Sequence, residues 1–492
     1  MTVVLDSRHD IDLETFRRVA VDGENVRIGK AAIERMEQAR ASFMALLDAD
    51  RHAVIYGTTT GPGSRAKVPI PPEEQRQAAQ RMLLRRAGGS GFGGGDLPDR
   101  VVRGIILARL ANFLDGHAKS RPVIAERVAA MLDGRPLPRV PYDGQVGAGE
   151  ILPLAHVLAA LPDGDVEEAE PLALVNGSPC SAALAADAAL HARNRAETAA
   201  RVFALSIEAV SAPLDAYDEA LEELWADPHE TGSLRALRGH LAEAPTEERR
   251  AYQAPVSWRI LPRVLAQAYR AVDEIEDVAS TSLSSVTDNP VYLLPDAEHP
   301  LGRAISNGGY HNATAYPALD SLAAAWADLA TLADRQTTKL HNGPVSGLPH
   351  MLVPPGSESW GTGGLGFVQI GIGEEARRAA QRTLIPPSEG GGFGQNDVAS
   401  PTFLAYRKEQ RAAWCLDAAL AILAVVASQA LWVTGRPAPP PLADLLEGIR
   451  SVYPPVEELA SRDLGGELEQ LTAVFQAAAL SGRLEFAEAR TR

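Results

Sequence analysis

A few polar side chains stand out because each interrupts an apolar or glycine-rich run. Tyr56 ends the run Ala53-Val-Ile-Tyr and opens a glycine loop, and Asn176 breaks Leu172-Ala-Leu-Val-Asn-Gly. Arg259 follows a tryptophan in Ser257-Trp-Arg-Ile-Leu-Pro, Asp288 and Asn289 precede Pro290, and Tyr310 and His311 follow Asn307-Gly-Gly. A phenol can move a proton, a planar guanidinium matches a carboxylate, and an amide can hold an oxyanion. Taken singly, such residues are more often caps or satisfied core groups. Their order along the chain is what carries information. Other chemistries lack their residues: no histidine pair has zinc-ligand spacing, no Gly-x-Ser-x-Gly marks a nucleophile elbow, and no glycine loop continues into Gly-Lys-Ser/Thr.

These side chains need a scaffold, and the periodicity is helical almost throughout. Apolar residues recur at three- and four-residue spacing over 28–49, 100–114, 180–212, 261–280, 313–340 and 403–433. Several of these segments are apolar nearly all round, so other helices must enclose them. The expected fold class is all-α, a large bundle of long helices several layers deep with an active site built from loops. Short strands are expected at Thr2–Leu5 and Asn25–Ile28, with no βαβ alternation after them. The Gly-, Pro- and Ser-rich segments 57–64, 88–97, 141–150, 342–366 and 386–396 read as the loops. We divide the chain into a loop-rich N-terminal region (1–200), a central long-helix bundle (201–436) and a C-terminal helical tail (437–492) after the stiff Pro437-Ala-Pro-Pro-Pro441.

The 492 residues hold 47 Lys or Arg against 63 Asp or Glu, a net charge of −16, which argues against nucleic-acid binding. At 46% hydrophobic and 22% charged, the chain has the composition of a globular protein with a sizeable core. Cys180 and Cys415 are too few for a disulfide framework and suit a reduced cytosol. Acidic residues stand at the N-terminus where a signal peptide needs basic ones, so the expected location is cytoplasmic. The uncharged run between Asp417 and Arg436 is long enough to raise a membrane span; its Ala, Ser and Gln content and lack of an aromatic belt or a flanking basic cluster favour a buried core helix instead.

Read in order, the motifs resemble those of the aromatic amino acid ammonia-lyase and aminomutase family. Tyr56-Gly-Thr-Thr-Thr-Gly-Pro-Gly63 is similar to the family loop Tyr-Gly-x-x-Thr-Gly-Phe-Gly, and Arg109–Gly116 resembles its Arg-x-Asn-x-Leu-x-x-Gly helix. Pro153-Leu-Ala-His156, Leu172–Ser178, Gln253–Arg259, Thr287–Pro290, Ser306–His311 and Gly347–Pro349 follow in the family's order. The resemblance spans about Ile11 to Trp432 and implies Tyr56 as acid/base and Arg259 as the clamp on a substrate carboxylate. It also implies a homotetramer whose active sites draw on loops of more than one subunit.

One departure concerns the reaction itself. The family makes an electrophile, a methylidene-imidazolone, from an internal Ala-Ser-Gly. The corresponding segment here is Gly144-Gln-Val-Gly-Ala-Gly-Glu-Ile-Leu-Pro153, in which Gly147, Ala148 and Gly149 supply no hydroxyl to eliminate. No Ser, Thr or Cys stands between Val140 and Pro153. The family's tyrosine three residues before the arginine is Val256, its glutamate is Asn396, and its Ser-His pair is Arg86-Ala87. The expected catalytic set is therefore Tyr56, Asn176, Arg259 and Tyr310, with Arg86, Val256, Gln395 and Asn396 at the substrate, and with no metal and no prosthetic group. Three readings follow: proton-transfer chemistry without the electrophile on a small carboxylate, namely elimination, conjugate addition, isomerisation or cyclisation; a non-catalytic relative that binds a ligand or pairs with an active homologue; or a conventional ammonia-lyase or aminomutase.

Overall fold

A computed structural model describes residues 1–50, 52–84, 95–158, 161, 165–388, 394, 396–457 and 462–486. Helix makes up 62% of it and strand 4%, as an all-α chain requires. The main helices are α1 (Lys30–Ala49), α2 (Asp99–Leu114), α3 (Glu170–Val175), α4 (Pro179–Ala209), α5 (Leu261–Leu283), α6 (Ala315–His341), α7 (Leu365–Ala379), α8 (Thr402–Thr434) and α9 (Leu464–Ser481). Six of these match the six periodic segments of the sequence to within a few residues. The helix α7 lies where the sequence offers Gly366, Gly371 and Gly373, poor helix formers that hide the pattern. Its buried Leu365, Gln369, Ala376 and Ala379 nevertheless share one face, and Gln369 Nε2 donates to the Ala419 carbonyl at 3.3 Å.

Backbone proximity divides the chain into two units, each drawn from three stretches. This division is discontinuous, unlike the three consecutive regions drawn from composition: a proline run marks where the chain is stiff, not where its contacts end. The first unit contains Met1–Asp187, Ile275–Pro317 and Thr383–Tyr406. In it β1 (Thr2–Leu5) and β2 (Asn25–Ile28) pair in parallel, where the sequence places them. The three-residue strands β3 (Val291–Leu293) and β4 (Arg303–Ile305) form a second, antiparallel pair too short to announce itself in the sequence. At the centre runs α2, buried on all sides from Val101 to Leu114 except for Arg103. A mostly apolar helix is enclosed, as expected, and it takes Arg109 and Asn112 inside with it.

The second unit contains Ala188–Glu274, Ala318–Arg382 and Arg407–Arg492. Its core is built on the Ala- and Leu-rich stretches of α4, α6 and α8. The two buried charges Arg195 and Asp417 face each other as a fork, Nε to Oδ1 at 3.0 Å and Nη2 to Oδ2 at 3.1 Å. Trp326 donates its indole N–H to Glu409 at 3.0 Å. Helix α8 is long and apolar enough to cross a membrane, but 89% of its apolar window is buried inside the protein. It is a core helix.

Candidate active site

The glycine loop after Tyr56 closes on the tyrosine itself. The Gly63 N–H donates to the phenol oxygen at 2.7 Å, so seven residues of loop wrap one ring. Gly57 makes the wrap possible: its φ is +69°, and a Cβ there would stand 2.2 Å from Leu172 of α3. Burial pushes the Tyr56 phenol above its ordinary value, the Gly63 N–H pulls it down, and neighbouring Tyr310 adds a smaller upward push. The resting group is a neutral phenol. Asn396 flanks the same loop, its amide nitrogen 4.0 Å from where a Cβ on Gly63 would lie.

Asn176 caps the C-terminal end of α3 in extended conformation. Its Nδ2 donates to the Asn289 carbonyl at 2.8 Å, its Oδ1 accepts from Gly177 N–H at 2.8 Å, and its carbonyl accepts from Arg109. Arg109 and Asn112 lie one helical turn apart on α2, and Asn112 Oδ1 accepts from Thr287 N–H at 2.7 Å. The Arg-x-x-Asn spacing thus fastens two strips, Asn176–Ser178 and Thr287–Asn289, to one helix. Asn289 Oδ1 in turn accepts from Ser306 Oγ at 3.2 Å and Asn307 N–H at 2.9 Å, which brings in the segment bearing Tyr310. Below the strip, Asp288 and Lys119 form a buried pair at 3.1 Å.

The segment that corresponds to the family's electrophile-forming stretch, expected here to carry no prosthetic group, makes a sharp turn against this cluster. Gly147 bridges to Ser400, and Gly149 has φ +68°. A Cβ on Gly149 would lie 2.5 Å from Asn176 Oδ1 and 3.6 Å from Tyr310 Cβ. Tyr56, Tyr310, Asn176, Asn396 and the Gly147-Ala148-Gly149 turn are therefore all in the first unit and tied together by these contacts. Among the described residues no group of three or more His, Cys, Asp or Glu is placed to hold a metal ion.

Arg259 and Val256 belong to the second unit, in the single helical turn Val256–Arg259. Three buried bonds fix that turn: Tyr217 Oη to the Trp258 carbonyl at 2.9 Å, Trp258 Nε1 to Ser206 at 3.1 Å, and Gln336 Nε2 to the Ser257 carbonyl at 3.0 Å. Arg259 Nε donates to the Ala254 carbonyl at 2.9 Å, and the side chain lines a cavity of about 610 Å³ with Tyr217, Trp225, Arg250 and Gln253. No acidic partner for Arg259 occurs among the described residues. Val256 is exposed. Arg86 and Gln395 lie outside the described residues. Glu150 was not singled out by the sequence, because its partners, Cys180 and Ser181, come from thirty positions later.

The sequence matches the aromatic amino acid lyase family over residues 11–167 and 159–453. The chain belongs to that family. Histidine ammonia-lyase of Deinococcus radiodurans is 30% identical over 72% of this chain and 71% of its own length. That of Geobacillus thermodenitrificans is 28% identical over 97% and 98%. Among solved structures, ergothionase of Treponema denticola, an ergothioneine-degrading enzyme, superposes with a TM-score of 0.85 at 20% identity, covering 97% of this chain and 99% of that one. Histidine ammonia-lyase of Trypanosoma cruzi superposes at 0.82 with 21% identity, covering 100% and 97%. Identities that low speak for the fold alone. As a member of the aromatic amino acid lyases the protein is a lyase-superfamily enzyme, and the motif-bearing segments of its first unit are the ones its fold draws together.

Proposed function

We propose that this lyase-family enzyme works without the methylidene-imidazolone and performs proton-transfer chemistry, elimination foremost, on a small amino-acid-derived carboxylate. The observation that carries the reading is the Gly149 turn. The segment 140–153 holds no Ser, Thr or Cys, and the backbone at Gly149 is left-handed with Asn176 Oδ1 where a side chain would begin. The residues present do not fit the family's electrophile, so no step is routed through it.

Arg259 would hold the substrate carboxylate, for which its fixed backbone and lack of an acidic partner among the described residues suit it. Tyr56, neutral at rest, is a proton donor first and becomes a base when a cationic group of the substrate stabilises its phenolate. One amide hydrogen of Asn176 has no acceptor among the described residues and can meet charge that develops on the substrate. Ergothioneine, which the superposing Treponema enzyme degrades, is an amino-acid-derived carboxylate, and this supports such molecules as the first candidates. We further propose a cytoplasmic homotetramer whose active sites are completed by loops of more than one subunit. Trp360 and Phe367, each 81% exposed, and Ile370 are the kind of surface such an assembly covers.

Two measurements test the reading. The mass of a proteolytic peptide spanning 140–156 should be that of the unmodified sequence; a deficit of two waters would show a formed electrophile and end the proposal. L-Histidine, L-tyrosine, L-phenylalanine and ergothioneine should then be screened for an unsaturated product. Turnover of one of them should be lost in Tyr56→Phe, and turnover indifferent to that substitution would equally overturn it.

A further inference from the structure

Glu150 is a buried carboxylate, 5% exposed, that the chemistry above does not use. It directly follows Gly149, and its own φ is +53°, so two successive residues are left-handed and one of them carries a side chain. That conformation costs a non-glycine residue roughly 1–2 kcal/mol and persists only where the surroundings impose it. Here the side chain does so. Its Oε2 accepts from Cys180 N–H at 2.6 Å, and its Oε1 accepts from Ser181 N–H at 2.8 Å and Ser181 Oγ at 2.5 Å. The two N–H groups belong to the first turn of α4, where the helix offers them no partner.

The bonding continues beyond Ser181. Its Oγ lies 3.0 Å from Thr402 Oγ1, which lies 2.8 Å from Ser400 Oγ. The Ser400 N–H returns to the Gly147 carbonyl at 3.4 Å. A hydroxyl has one hydrogen, so if Ser181 donates to the carboxylate the chain must run Ser400 to Thr402 to Ser181 to Glu150. If Glu150 carries the proton, the chain can reverse. Both ends of the 147–150 turn are thereby tied to one polar chain, and on the other side of the turn Gly149 rests against Asn176 and Tyr310.

We propose that Glu150 is a positioning residue: acting through the first turn of α4 and the hydroxyls of Ser181, Thr402 and Ser400, it holds the 147–150 turn closed, and the closed turn sets where Asn176 and Tyr310 stand. The inference rests on the reading of this cluster as the active site. Around Glu150 the titratable and charged groups are the Cys180 thiol on α4 and, from α2, Arg109, whose Nε and Nη2 are buried without a partner among the described residues. Asp288, paired with Lys119, also acts on Arg109. Burial, only partly offset by the donors, pushes the Glu150 carboxyl up to about 7. Its value in the closed turn thus exceeds that of a solvated glutamate. Closure is fully supported below the solvated value and is lost as pH rises from there to about 7, by up to about tenfold in the closing equilibrium per pH unit within that window.

Hydrogen–deuterium exchange on the full chain without substrate tests this, following peptides within 144–158 at pH 6 and pH 8.5 after correction for intrinsic exchange rates. Relative to pH 6, the wild type should lose protection at pH 8.5 by up to about tenfold. Glu150→Gln, neutral at both values, keeps an acceptor for Ser181 but sets an amide nitrogen against Cys180 N–H, so it should be less protected than wild type at pH 6 and equally protected at both pH values. Ser181→Ala should open the turn at both. Wild-type protection that is independent of pH, or the same pH dependence in Glu150→Gln, or an unchanged turn in Ser181→Ala, would overturn the proposal. Because no turnover is read, failure here leaves the Tyr56 chemistry standing, and an inactive enzyme leaves this result standing.

Discussion

Tyr56 is subject to opposed influences, burial and neighbouring Tyr310 that hold its proton and one loop N–H that favours the phenolate, and burial prevails. Because that N–H makes the one hydrogen bond to the phenol among the described residues, Tyr56→Phe should fold normally, with a melting temperature close to wild type, while turnover falls by about 10²–10⁴, the usual worth of a placed acid or base. Gly149→Ala puts a methyl at φ +68° against Asn176 Oδ1, and chemical denaturation should show a loss of at least about 1–2 kcal/mol. Glu150 makes a prediction of opposite sense. Its raised value means that stability is contributed below the unfolded value and withdrawn as pH rises to about 7, so the melting temperature of wild type should fall relative to that of Glu150→Gln between pH 5 and pH 8. The positions of Tyr56, Asn176 and Tyr310 were legible because each interrupts a patterned run. The role of Glu150 was not, since a lone acid after a glycine turn becomes informative only when α4 is folded against it.

Among the elements, α2 shows how a helix organises loops it does not adjoin in sequence: Arg109 and Asn112, three residues apart, each hold a separate strip. The Arg195–Asp417 fork joins α4 and α8 through two buried charges. Asp417→Ala leaves a buried guanidinium without its carboxylate and should lower stability by about 3–5 kcal/mol in a denaturant titration, whereas an apolar replacement of both partners should cost far less. Helices rich in Ala and Leu were readable to within a few residues because nothing in them competes with the 3.6-residue period. Three glycines in α7 erased that signal, and only the packing of Leu365, Gln369, Ala376 and Ala379 restores the helix.

For the whole molecule, the prediction concerns assembly. If Trp360, Phe367 and Ile370 are covered by other subunits, light scattering should report about four times the chain mass of 52.3 kDa, and Phe367→Glu with Ile370→Glu should lower it. A monomeric wild type would remove the tetramer from the proposal. All-α architecture and the buried course of α8 could be read from composition and period; the interleaving of the two units could not, because contacts between stretches hundreds of residues apart leave no local trace.

The contact between Gly149 and Asn176 also bears on how this gene can change. A glycine codon can become a serine codon by a single base substitution, and such a mutation puts a hydroxyl back into the segment in one step. The protein would then receive a side chain in a left-handed turn with its first carbon already in conflict with a neighbouring amide. On the proposed reading, that one substitution would therefore not by itself rebuild the electrophile, because the turn leaves no room for the new side chain.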